Sequence, residues 1–135
     1  MNFKDLIGKP FHEDGYGPDN YSCYGLLVEV FKRYGINIPK VNISVCACKE
    51  TSQKKIQKEL LKVWQPMKKK QAPAGILIRS TNPDYADHLG VYIGAGKMIH
   101  ITVNRNVVVD RVRNWQDKII GYYQYVGNSK GKECK

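Results

Sequence analysis

The chain is short of acidic side chains, short of cysteine, and without a long apolar run, and each shortage removes a class of protein. Twelve Asp plus Glu stand against 22 Lys plus Arg, a formal charge of +10 over 135 residues. Such a surface is drawn to polyanions: nucleic acid, anionic lipid, or the carboxylates and phosphates of a bacterial wall. Four cysteines, Cys23, Cys46, Cys48 and Cys134, are too few and too irregular for a disulfide scaffold. Cys46-Ala47-Cys48 lacks the second pair a zinc site wants, and no metal or cofactor is expected. No stretch is long and apolar enough for a membrane-spanning helix. Met1 to Gly8 has neither the apolar run nor the small-residue cleavage site of a secretory signal, so synthesis in the cytoplasm without a leader is expected. The length suits one domain with a real core, here expected over 1–128, followed by a flexible basic tail over 129–135.

What is present centres on Asn20 to Tyr34. Cys23, Leu26, Leu27, Val30, Phe31 and Tyr34 recur at steps of three and four, which on a helix makes one apolar stripe. Ser22 is a good N-cap, Gly35 sits where a left-handed C-terminal residue is wanted, and Pro39 stops continuation. The helix therefore begins on a cysteine, where unpaired N–H groups and the positive end of the macrodipole favour the thiolate. Taken alone, a cysteine such as Cys23 more often reads as a small buried hydrophobe.

Upstream, Asn2 is placed to cap a short turn ending at Gly8, and Lys9 to Asp19 is rich in turn formers. Downstream, Val41 to Lys49 suits either a strand or an extended connection. Thr51 or Ser52 is placed to cap a second helix reaching about Trp64, with Ile56, Leu60, Val63 and Trp64 buried. Lys68-Lys69-Lys70 reads as a solvated loop rather than a dedicated binding patch. From Gly75 the pattern turns to period two. Ile76 to Arg79, His88 to Ile93, Lys97 to Thr102, Asn106 to Val112 and Ile119 to Val126 read as five strands, with Gly94-Ala95-Gly96 a tight hairpin. Helices first and strands second predict an α+β domain with a mainly antiparallel sheet. His88 and His100, twelve positions apart on that hairpin, share parity and therefore a face, opposite each other or on a diagonal. A cysteine nucleophile needs a base, and the base an orienter.

Together these residues resemble the NlpC-type cysteine peptidases, papain-like enzymes that cut the peptide part of bacterial cell walls. The matches are Pro10-Phe11, Cys23 with Gly25-Leu26, Gly35-Ile36 with Pro39, Gly75, His88 with Gly90-Val91-Tyr92-Ile93-Gly94, and Ile99-His100. They span nearly the whole chain. The resemblance implies a papain-like fold, Cys23 as nucleophile, His88 as base and His100 as its orienting partner. It puts Phe11, Tyr16, Ser22, Tyr24 and Asp87 in the vicinity of substrate or oxyanion. Cys23-Tyr24-Gly25-Leu26 and the segment from Trp115 to Tyr123 are similar to a subgroup associated with phage tails. That likeness implies peptidoglycan as substrate, tail hub or baseplate proteins as partners, and a place in the virion tail.

Three positions depart from the family pattern. Phe11 stands where many members carry tyrosine, Ser22 where aspartate precedes the cysteine, and Ile76 where aspartate follows Gly75. Tyr16 and Tyr21 are the candidates to replace the missing hydroxyl. The departures keep open a structural tail protein with a weak or inactive site, and an acyl-transferring relative on the same scaffold. Nucleic-acid binding is disfavoured, because the basic residues are spread over helix faces, loop and tail rather than set in a reading motif.

Overall fold

The computed structural model describes residues 2–38, 64–79, 88–101 and 105–126. Helix α1 runs Cys23–Arg33 and begins on the cysteine. The Ser22 hydroxyl accepts from the Gly25 N–H at 2.9 Å, which delimits its start. At its end Gly35 adopts φ +87°, its N–H donates to Lys32 O, and the Ile36 N–H donates to Phe31 O. These are the two bonds of a Schellman motif, and they satisfy carbonyls the helix leaves over. Before α1, the Asn2 side chain accepts from the Lys4 N–H at 2.8 Å and the turn closes at Gly8. Arg33 clips this segment to the helix, with bidentate bonds of 2.7 Å to Asp5 and one of 2.9 Å to Glu29.

Among the described residues six strands follow: β1 Trp64–Pro66, β2 Ala74–Ile78, β3 His88–Gly94, β4 Lys97–His100, β5 Val108–Arg111 and β6 Ile119–Tyr125. They form one antiparallel sheet in the order β1-β6-β2-β3-β4-β5. The expected five-stranded sheet is thus six-stranded. The extra strand is β1, and it holds Trp64, which periodicity assigns to a helix end. Pairing overrides that pattern: Trp64 lies opposite Tyr125, and its ring meets Tyr125 and Phe31 edge-on at 5.2 and 5.3 Å. The strand expected over Asn106 to Val112 is shorter, because Val112–Lys118 winds into a 3-10 helix. The rest of the proposed second helix, the Val41 to Lys49 segment, Cys46, Cys48, Asp87, Cys134 and the tail lie outside the described residues.

Alternation sorts the sheet into two faces. Leu77, Leu89, Val91 and Ile99 pack with Leu26, Leu27, Val30 and Phe31 of α1. Ala74, Ile76, Ile78, Tyr92 and Met98 form a second cluster on the other face, roofed by Val112 and Trp115 of the 3-10 helix. The β3–β4 turn has positive φ at both Ala95 and Gly96, the requirement of a type I′ hairpin. The lysine run is exposed, and Lys70 extends over the rings of Tyr92 and Tyr122 at 5.9 and 5.4 Å.

Candidate active site

The first turn of α1 is fastened to the loop before it. Ser22 donates its own N–H to Gly15 O at 2.9 Å and its hydroxyl to the same oxygen at 3.1 Å. Gly25 is required by the same contact, since a Cβ there would overlap the Gly15 carbonyl oxygen. Ser22 is therefore both cap and buckle, and its one hydroxyl hydrogen is taken by Gly15 O. Of the first amides, those of Ser22 and Gly25 are bonded in this way. Cys23 is buried, at 3% exposure.

Tyr24 and Leu27 of α1 line one apolar cavity with Trp64, Gly75, Leu77 and Leu89. Tyr24 of the first turn and Leu89 of β3 share this cavity, so the helix tip packs against the start of β3 on its Leu89 face, while the His88 ring lies against Trp115 on the other. Burial, then the neighbouring Tyr16 and Tyr125, push the Tyr24 phenol far up, and it stays neutral. Tyr16 meets Tyr24 edge-on at 6.5 Å and stays by the tip. Tyr21, together with Tyr16, lines a polar hollow with Asp5, Glu29 and Arg33. Phe11 is half-buried and pairs with Tyr21 through a backbone bridge. Ile76 is fully buried among Ala74, Ile78 and Met98, where a carboxylate would be stranded without water.

The structure brings the two histidines together. Gly90 lies directly opposite His100, so His88 and His100 sit on a diagonal of one face. His88 Nε2 is 2.9 Å from His100 Nδ1, and each residue is 2% exposed. Two further residues join them that sequence reasoning leaves out. His100 Nε2 lies 2.7 Å from Asp110 Oδ2, and the Trp115 indole donates to the same oxygen at 3.2 Å. Asp110 lies opposite Met98, one diagonal from His100, so its even parity on the next strand was the available signal. Burial pushes the His100 imidazole below its usual value, against the pull of the Asp110 hydrogen bond. Burial raises the Asp110 carboxyl, but the bonds from His100 and Trp115 outweigh it and the group stays ionised. Among the described residues no group of His, Cys, Asp and Glu is arranged to hold a metal.

Residues 8–124 match the family model described as the NlpC/P60 family. The chain is 26% identical over 118 residues to a probable endopeptidase p60 of Listeria welshimeri, covering 86% of this chain and 20% of that protein. The corresponding protein of Listeria innocua is 25% identical over 118 residues, with 86% and 22% covered. The chain thus spans about a fifth of the length of these relatives. Among solved structures, an NlpC/P60 family protein of Bacillus cereus superposes with TM-score 0.61 at 20% identity, over 90% of this chain and 37% of that one. A lipoprotein-like member from Staphylococcus aureus gives 0.58 at 23%, over 90% and 38%. The NlpC/p60 domain of the peptidoglycan hydrolase SagA gives 0.54 at 17%, over 87% of each chain. The α+β fold with its antiparallel sheet is the one these structures share with this chain.

Proposed function

Because the chain belongs to the NlpC/P60 family, we propose that it is a cysteine peptidase hydrolysing amide bonds in the stem peptide of bacterial peptidoglycan. The reading is carried by one observation: a buried, hydrogen-bonded histidine pair across the β3–β4 hairpin, whose first strand packs at its start against the tip of a cysteine-initiated helix. In this mechanism His88 takes the thiol proton and Cys23 sulfur attacks the amide carbon. Helix-tip N–H groups meet the developing oxyanion. His88 then returns its proton to the leaving amine, and water, deprotonated by His88, hydrolyses the thioester. His100 holds His88 in place throughout. Tyr16, beside Tyr24, is the phenol placed to compensate for Phe11. The relatives named endopeptidase and peptidoglycan hydrolase support the substrate class.

The finer setting is a phage tail, which would carry the enzyme to the wall. Cys23-Tyr24-Gly25-Leu26 and the segment from Trp115 to Tyr123 support it, with a tail hub or baseplate protein as partner and the virion tail as location. A structural tail protein with an idle site is the second reading, favoured by Phe11 and by a Ser22 hydroxyl already occupied at Gly15. Purified cell walls, digested with the chain and with Cys23→Ala, separate the two. New amino groups and shortened stem peptides from the wild type alone are expected. Equal fragments from both proteins would refute Cys23 as nucleophile, and none from either would favour the idle site.

A further inference from the structure

We propose that Asp110 is a positioning residue that fixes which nitrogen of each site histidine carries its proton, extending the series beyond His100. A carboxylate only accepts, so at 2.7 Å from Asp110 Oδ2 the His100 Nε2 must bear the hydrogen. A neutral imidazole has one N–H, so His100 Nδ1 presents its lone pair. At 2.9 Å from that lone pair, His88 Nε2 is the donor. The neutral His88 then carries its lone pair on Nδ1, the state a general base needs. Three residues in line thus set the basic atom at the far end.

Without the carboxylate the order is degenerate. His100 could hold its hydrogen on Nδ1 and donate to His88 Nε2, which would turn His88 Nδ1 into a donor unable to take a thiol proton. Asp110 breaks this tie. Trp115 reinforces it, because its N–H donates to the same Oδ2 at 3.2 Å and leaves that oxygen no reason to turn elsewhere. The indole also covers both imidazoles, with centroids 4.9 Å from His100 and 6.2 Å from His88, and limits water competing for their bond. When His88 gains a proton at Nδ1, its Nε2–H still points to His100, so no bond in the series must rearrange. The Asp110 side chain is 32% exposed on the edge strand β5, against 2% for His100, so the carboxylate keeps part of its hydration.

The kinetic consequence rests on the reading of Cys23 and His88 as a catalytic pair; the proton order does not. The full chain labelled with nitrogen-15 at histidine, studied by long-range proton–nitrogen correlation, reports the tautomer of each ring directly. The wild type is expected to show His88 and His100 both in the Nε2–H form. The isosteric Asp110→Asn, whose amide presents either oxygen or nitrogen, should populate the Nδ1–H form at both, and slow alkylation of Cys23 at neutral pH by about tenfold or more. Trp115→Phe, which keeps the ring and loses the donor, should show a smaller change in the same direction. Histidine spectra of Asp110→Asn identical to the wild type, or an Nδ1–H His100 in the wild type, would overturn the proposal. Tautomers that shift as expected in a protein that cuts no wall peptide would sustain the series and remove the peptidase reading instead.

Discussion

Replacing Ser22 by alanine tests how the helix tip is built. The hydroxyl accepts from the Gly25 N–H at 2.9 Å and donates to Gly15 O at 3.1 Å, and Ser22 is 5% exposed. Loss of an N-cap of this kind costs about 1 kcal/mol, in a range of roughly 0.5–2. The second bond adds about 0.5–1 kcal/mol, at the low end because Gly15 O keeps the Ser22 N–H at 2.9 Å. A total of roughly 1–3 kcal/mol follows. With a urea m-value of about 2 kcal/mol/M, the unfolding midpoint should fall by roughly 1 M with the slope unchanged. Ser22→Thr should recover most of it. Ser22→Asp, which restores the family's usual residue, should not: its carboxylate can accept from Gly25 and favours the helix start, but it faces the Gly15 carbonyl without a proton to give. A Ser22→Ala midpoint within 0.2 M of wild type, or a Ser22→Asp protein more stable than wild type, would refute the double role assigned to this hydroxyl.

Phe31 has no exposed surface and packs edge-on against Trp64, so Phe31→Ala should cost about 3–5 kcal/mol in urea unfolding; a loss below about 1.5 kcal/mol would mean the strand of Trp64 does not lean on α1. The pH dependence has a definite sign. His100 is held below its ordinary value of about 6.5 by burial, so between the two values the unfolded chain binds a proton that the folded chain refuses. The resulting stability is complete above about pH 6.5 and shrinks as pH falls from there towards the folded value. Urea midpoints at pH 7.5 and 5 should therefore decline in the wild type and decline less in His100→Gln; parallel declines in the two proteins would contradict it.

Local chemistry alone settled the pieces whose causes are local. Cap, stripe and terminating glycine fix α1 within a residue, because each acts across three or four positions of the chain. Period two and the Ala95-Gly96 turn fix the hairpin and, with it, the shared face of His88 and His100. The family follows from motifs laid along the same stretches. Only the tertiary structure decided the rest. Trp64 belongs to a strand because Tyr125, far along the chain, lies opposite it, and no window around Trp64 contains that partner. Asp110 reaches His100 because β5 pairs with β4 and carries it to the neighbouring diagonal, and Trp115 follows because the chain then coils back over the rings. Ser22 ties down the loop through Gly15 because that loop folds over the first turn, leaving room only for a glycine at position 25. Interactions within a helical turn or a two-residue hairpin are written in adjacent letters; contacts closed by strand pairing depend on register, which the whole sheet sets at once.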